Sequence, residues 1–162
     1  NDLLQYSRAG RRRYTVEPVD TRALVQGVAA AINPPAGFAV QVEDSLPTIR
    51  SERLPLEAVL RNLLENALKH HHHTQAGRVT VTAARRDGWV EFCVRDNGPG
   101  IAPQYHERIF EVFQTLRPRD EVEGSGMGLA IVKKTVESVG GKVWVESAEG
   151  EGAAFRFTWP AG

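Results

Sequence analysis

Arg78–Ile101 reads RVTVTAARRDGWVEFCVRDNGPGI, and the rest of the chain can be organised around it. Apolar and polar residues alternate through Arg78–Arg85 and again through Trp89–Asp96, the period of a strand with one buried face. Asp87-Gly88 stands between the two runs and is a strong hairpin signal, because a tight two-residue turn needs positive φ at its central positions. The second strand delivers Asp96 to its end, with the turn Asn97-Gly98-Pro99-Gly100 beyond it. A carboxylate held there can accept a hydrogen bond from an exocyclic amine. The same dipeptides also make plain turns.

Outward from this hairpin the pattern alternates between helix and strand. Upstream, an extended piece around Tyr14–Pro18 leads to Asp20, placed as the N-cap of a helix to about Ile32 with Leu24, Val25, Val28, Ala29 and Ile32 on its apolar face. Pro34-Pro35 ends that helix. Phe38–Val42 and Pro47–Arg50 read as short strands, and Ser51 as the cap of a long helix through about Lys69. Downstream come a short helix near Tyr105–Phe113, an irregular segment to Gly126, a helix to Val139, and strands at Lys142–Glu146 and Ala153–Thr158. Helices mixed with hairpins, rather than strict βαβ alternation, predict an α+β fold. We expect a two-layer sandwich with a mixed, mostly antiparallel sheet of about five strands and about three helices on one face.

At 162 residues the chain is the size of one domain. It is 41% hydrophobic and 25% charged, and no apolar run is long enough to cross a bilayer. Neither a membrane span nor a secretory signal is expected. Twenty basic residues balance twenty acidic ones, which argues against non-specific nucleic-acid binding. Arg11–Arg13 reads as a solvated linker after a helical opening, Asn1–Ala9, that Gly10 stops. The lone cysteine, Cys93, is read as a small buried hydrophobe. Adjacent histidines at His70–His73 point in different directions and cannot all ligate one ion, and His71–His73 are expected at an exposed helix end. Trp89, Trp144 and Trp159 fall on strands and are read as packing residues.

Two further stretches carry chemistry. On the long helix, Asn62, Glu65, Asn66 and Lys69 recur at helical spacing and form one stripe. Asparagine is a poor interior helix former, so a plain solvated face is a weak account of two of them. Amide and carboxylate oxygens suit Mg²⁺, and the ammonium suits phosphate. In Gly124–Leu129 (GSGMGL), alternate glycines run into a helix N-terminus, where backbone N–H groups and the helix dipole favour phosphate oxygens. No strand leads into this loop and no Gly-Lys-Ser/Thr follows it, so it is neither a Rossmann fingerprint nor a P-loop.

The order and spacing of these stretches resemble the catalytic, ATP-binding domain of sensor histidine kinases, within the superfamily that includes gyrase, Hsp90 and MutL ATPases. Leu60–His70 (LRNLLENALKH) resembles the family's N box, Asp96–Ile101 (DNGPGI) its first glycine box and Ile109–Phe113 (IFEVF) its F box. GSGMGLAIVK resembles the second glycine box and Gly150–Phe155 (GEGAAF) the last. The resemblance runs from about Tyr14 to Trp159 and implies a Bergerat ATP-binding fold over residues 14–162. Residues 1–13 resemble the end of a dimerisation and phosphotransfer helix with its linker.

The resemblance implies ATP and Mg²⁺ as cofactors and assigns roles by position. Asn66 would coordinate Mg²⁺ bridging the phosphates, with Asn62, Lys69 and His70 on the phosphate side and Glu65 in the place of a general base. Asp96 would bind the adenine amino group, with Asn97, Gly98, Gly100 and Ile101 shaping the pocket. Gly124, Ser125, Gly126, Met127, Gly128 and Leu129 would wrap the triphosphate. Phe113 to Gly124 would form the ATP lid, and Phe110 and Phe113 would help to anchor it. Two positions depart from the family pattern. Thr115, with Arg117 and Arg119 nearby, follows the F box where many relatives carry an arginine, and Ala153 stands where a small hydroxyl residue is usual.

The implied partners are a dimerisation and phosphotransfer domain of the same protein and, downstream, a response regulator receiver domain. No direct membrane contact is expected, the isolated domain should be a monomer, the full kinase a homodimer, and the setting cytoplasmic. A non-catalytic nucleotide-sensing or docking module, and an ATPase or anti-sigma-type serine kinase, share these motifs and remain open at this point.

Overall fold

The hairpin of the central stretch forms as its turn residues require. In the computed structural model, which describes residues 15–71, 76–111 and 128–162, β4 (Arg78–Arg86) pairs antiparallel with β5 (Trp89–Asp96), Arg86 opposite Trp89 and Val79 opposite Asp96. Asp87 and Gly88 both take positive φ, 49° and 84°, which matches the twist of the flanking strands.

The other described elements are β1 (Val16–Asp20), α1 (Thr21–Ile32), β2 (Ala39–Val42), β3 (Thr48–Glu52), α2 (Arg53–Lys69), α3 (Gly128–Ser138), β6 (Val143–Ser147) and β7 (Ala153–Pro160). Five strands form one sheet in the order β2-β4-β5-β7-β6. Only β2 runs parallel to its neighbour, and β5–β7 and β6–β7 are antiparallel. The two short N-terminal strands do not join that sheet as a pair. β1 and β3 make a separate antiparallel ribbon, Val16 opposite Glu52 and Asp20 opposite Thr48.

The strand period of two decides which face is covered. Val79, Val81, Val90, Phe92, Val94, Phe155, Phe157 and Trp159 are buried and belong to the same core as Leu56, Val59, Leu60, Leu63, Leu64 and Ala67 of α2 and Val132 and Val136 of α3. Each fully buried leucine or phenylalanine contributes about 1.5–3 kcal/mol, so this face carries most of the stabilisation. Intervening residues make the opposite, polar face. There Arg156 joins three strands, its Nη1 3.0 Å from Glu91 Oε2 and its Nε 2.8 Å from Glu146 Oε1. Cys93 is buried on this face near Thr82 and Arg156, and its burial pushes the thiol up, which suits a packing role.

Local signals hold at some ends and fail at others. Asp20 caps α1 as expected, its Oδ1 accepting from Ala23 N at 3.1 Å. Ser51 does not cap α2. It lies in β3, α2 begins at Arg53 after Glu52 with no side-chain cap, and Ser51 Oγ instead takes the indole N–H of buried Trp159 at 2.9 Å. A distant buried donor outbids the local cap, since leaving it unpaired costs more than an uncapped helix end. The helix expected near Tyr105–Phe113 is also absent in its described part. Pro103–Tyr105 and Arg108–Phe110 are single 3₁₀ turns, too short a run from Pro103 to propagate an α-helix. The expected opening helix Asn1–Ala9 and its linker lie outside the described residues. No helix of the described residues is long and apolar enough to cross a membrane.

Candidate nucleotide site

β5 ends on Asp96, and the turn after it folds against the loop between β6 and β7. Asp96 Oδ1 accepts from the N–H of Gly98 at 2.9 Å and from that of Ala153 at 3.2 Å. Its other oxygen, Oδ2, has no partner among the described residues. Burial raises the Asp96 carboxyl above the ordinary aspartate range, and the two N–H groups and nearby His71 pull it partly back. The result is a half-buried carboxylate, fixed by one oxygen and able to accept through the other. Ala153 carries no side-chain hydroxyl, and it is its backbone N–H that supplies the bond to Asp96.

The glycines of the two boxes allow the close approach. At Gly100, φ 77°, a Cβ would overlap the carbonyl of Ala148; at Gly152, φ 75°, it would overlap the carbonyl of Asp96. Between them the loops are stitched together. Gly150 N–H donates to Pro99 O, and Ser147 Oγ accepts from Ile101 N at 2.8 Å while donating to Gly152 O. His106 Nε2 donates to Ile101 O at 2.9 Å; a carbonyl only accepts, so that nitrogen carries the proton.

The stripe on α2 is divided between two sides. Asn62 donates from Nδ2 to Ala58 O at 2.8 Å, and its Oδ1 lies beside the start of α3, 3.4 Å from where a Cβ on Gly128 would stand. Asn66, one turn further on, shares that side and is half-buried. Glu65 and Lys69 instead line a groove of about 430 Å³ between α2 and the end of α1, with Ala31, Ile32, Arg61 and Leu68. His70 is the C-cap of α2, its N–H donating to Asn66 O at 3.1 Å. Gly128 opens α3 and Leu129 packs on the core. Phe113, Gly124, Ser125, Gly126 and Met127 lie outside the described residues, as do Thr115, Arg117 and Arg119 and the expected lid.

His71 is a correction. Expected at an exposed helix end, it is buried at 7% exposure, edge-on to Phe38 with ring centroids 5.4 Å apart, because the chain turns inward after α2. Ser147 and His106 were not singled out from sequence at all. Ser147 meets Ile101, 46 residues away, only through folding, so no local signal marks it. His106 bonds a carbonyl five residues before it, a local contact that motif reading does not register. Among the described residues no group of three or more His, Cys, Asp or Glu is placed to hold a metal ion. The oxygens of Asn62 and Asn66 fit a hard cation that brings most of its ligands with it, as one carried by phosphates does.

Residues 51–162, more than half of the chain, match the family model described as histidine kinase-, DNA gyrase B-, and HSP90-like ATPase. The chain belongs to that family. Within this ATPase family it is similar over 90% of its length to the mycobacterial sensor histidine kinase MprB, at 31% identity and a TM-score of 0.73, and covers 97% of that chain. Full-length ShkA, solved in complex with AMPPNP, matches 99% of this chain at 37% identity and a TM-score of 0.83, with 34% of its own chain covered. Cyanobacterial phytochrome A of Nostoc sp. is 48% identical over 120 residues, 74% of this chain. The chain spans only 15% of that relative's length.

Proposed function

We propose that this ATPase-family domain is the ATP-binding catalytic part of a two-component sensor histidine kinase. It would hold Mg-ATP so that the γ-phosphoryl faces a histidine on a separate helical dimerisation and phosphotransfer domain. The observation that carries the reading is Asp96: a half-buried carboxylate at a strand end, locked by two backbone N–H groups through Oδ1, with Oδ2 left to accept from the adenine amine. The kinase relatives and the AMPPNP complex of ShkA support it.

In this reading Asn66 would hold the Mg²⁺ that the phosphates carry, with Asn62 and His70 toward the phosphate side, whereas Lys69, expected there from the motif, lies with Glu65 in the groove against α1. Gly98, Gly100 and Ile101 would wall the base, and the glycine-rich sequence Gly124–Leu129 would offer N–H groups to the triphosphate. When bound, Mg²⁺ neutralises charge on the phosphates. The chain itself supplies positioning, which accounts for most of the catalysis in phosphoryl transfer. In the transfer, an N–P bond to the acceptor imidazole forms as the bond to the β-phosphate oxygen breaks. ADP leaves, and the imidazole proton passes to a base. Glu65 is the candidate by its place in the motif, and since it faces the α1 groove and not the Asn62 side, it would serve only if the acceptor imidazole approaches from that groove. The acceptor domain would pair two copies of the kinase and pass the phosphoryl group to a response regulator receiver domain, in the cytoplasm where ATP is supplied.

Calorimetric titration of AMPPNP, with and without Mg²⁺, tests the pocket. We expect binding that changes with Mg²⁺ and that falls about 10- to 100-fold in Asp96→Asn, the worth of a hydrogen bond to a charged group. Equal affinity in parent and variant would remove the adenine reading of Asp96.

A further inference from the structure

We propose that His71 is a positioning residue for this pocket, holding the Asp96–Gly98 turn through the side chain of Asn97. The inference rests on the nucleotide reading above and names a residue outside the α2 stripe and the glycine boxes.

Asn97 sits between Asp96 and Gly98, and its amide is engaged by Ala76, Arg78 and His71. Nδ2 donates to Ala76 O at 3.1 Å, which fixes the amide orientation, and Oδ1 accepts from Arg78 N at 2.8 Å. The same Oδ1 lies 2.7 Å from His71 Nε2, so the ring donates to it. The backbone follows suit, with Asn97 N–H donating to Arg78 O at 3.2 Å. One imidazole thus ties the end of α2 to the start of β4 and the end of β5, with Phe38 at the entry to β2 packed against its edge.

The ring also flanks the turn. A Cβ on Gly98 would come 3.4 Å from His71 Cδ2 and 3.1 Å from Asp96 Oδ1, so His71 and Asp96 enclose Gly98 between them. The N–H of Gly98 is one of the two that lock Asp96. A buried histidine that merely fills space could direct its N–H to any acceptor. This one bonds the residue between the adenine-reading carboxylate and its anchoring glycine. With its amide engaged by these three partners, the side chain of Asn97 would act on the pocket by holding the turn.

Reading the adenine amine needs Asp96 in register, whereas holding the triphosphate does not. Removing the imidazole N–H should therefore reduce the preference for ATP over inosine triphosphate, which lacks the exocyclic amine. The test measures non-hydrolysable analogues of both nucleotides on the parent, His71→Phe, Asn97→Ala and the double variant, with Asp96→Asn as the control for the site. We expect His71→Phe to cut the preference about tenfold, the worth of one hydrogen bond, Asn97→Ala to cut it at least as much because the bonds to Ala76 and Arg78 go too, and the double variant to cut it no further than Asn97→Ala. His71→Gln keeps a side-chain donor and should recover part of it.

Additive effects of the two single variants would overturn the proposal. So would a parallel loss for both nucleotides that tracks the melting temperature, the mark of a purely structural histidine. In the nucleotide-free protein, the amide resonances of Gly98 and Ala153 should move in His71→Phe, and resonances that stay put break the linkage whatever the affinities are. Failure of the nucleotide reading shows differently: Asp96→Asn then leaves analogue binding unchanged while those amide shifts persist.

Discussion

Asp96 sets a requirement of binding against one of folding. Its folded carboxyl is raised by burial, so the folded chain holds that proton to higher pH than the unfolded chain does. The contribution of this group to stability is therefore best at low pH. It falls as pH rises through the unfolded value towards the raised folded one, and the whole penalty remains at neutral pH. Asp96→Asn removes the charge but keeps an oxygen for the N–H groups of Gly98 and Ala153. The nucleotide-free variant is expected to melt higher than the parent at pH 7, with the difference closing on acidification, in melts taken across a pH series. Identical melting at neutral pH would show that the buried charge costs nothing. Nucleotide affinity of the parent should weaken on acidification, because a protonated carboxyl loses acceptor capacity. The DNGPGI motif makes this aspartate legible in the sequence, whereas its two anchors are not: Ala153 lies 57 residues away, and only strand pairing brings its N–H within reach.

For whole elements, long-range contacts adjust what local signals propose. The hairpin, the α1 cap and the apolar face of α2 follow from turn chemistry and periodicity, and all three form. Ser51 is where local reasoning fails, because a serine before a helix is a good cap only when nothing deeper needs its oxygen. Trp159, at 2% exposure, does need it. Ser51→Ala is expected to cost about 1–3 kcal/mol, the penalty of a buried donor left unpaired, with nucleotide affinity unchanged. Urea unfolding alongside an analogue titration checks both halves, and a stability within about 0.5 kcal/mol of the parent, the range of neutral surface changes, would count against the bond. The α2 stripe shows the same limit. Spacing places Asn62, Glu65, Asn66 and Lys69 on neighbouring rows of the helix, but Glu65 is about 60° around the axis from Asn62, and packing between α1 and α3 sends the two to different sides.

As a whole, the molecule has no histidine among its described residues in the setting of a phosphoryl acceptor for the proposed nucleotide pocket. Of its five histidines, His70 caps a helix, His71 is buried against Phe38, and His106 is bonded to Ile101 O; His72 and His73 lie outside the described residues. We expect the chain to bind ATP without labelling itself, and to label the histidine of a phosphotransfer domain supplied in trans, measured with γ-labelled ATP. Stoichiometric self-labelling would contradict this, and phosphate release without acceptor would indicate an ATPase. In the same assay Glu65→Gln should slow labelling at least tenfold at unchanged nucleotide affinity if its carboxylate takes the proton; general bases contribute about 10²–10⁴-fold.

Much of this protein follows from local order along the chain. Period-two strands, the Asp-Gly turn, the asparagine-bearing helix and the glycine runs suffice to read an α+β sandwich with a candidate adenine-binding aspartate, because each depends on residues a few positions apart. The partners of that aspartate, the burial of His71, the loss of the Ser51 cap and the separate β1–β3 ribbon depend on which distant groups meet when the sheet closes. Sequence spacing carries no information about those meetings, and buried donors and acceptors must be paired wherever the fold leaves them.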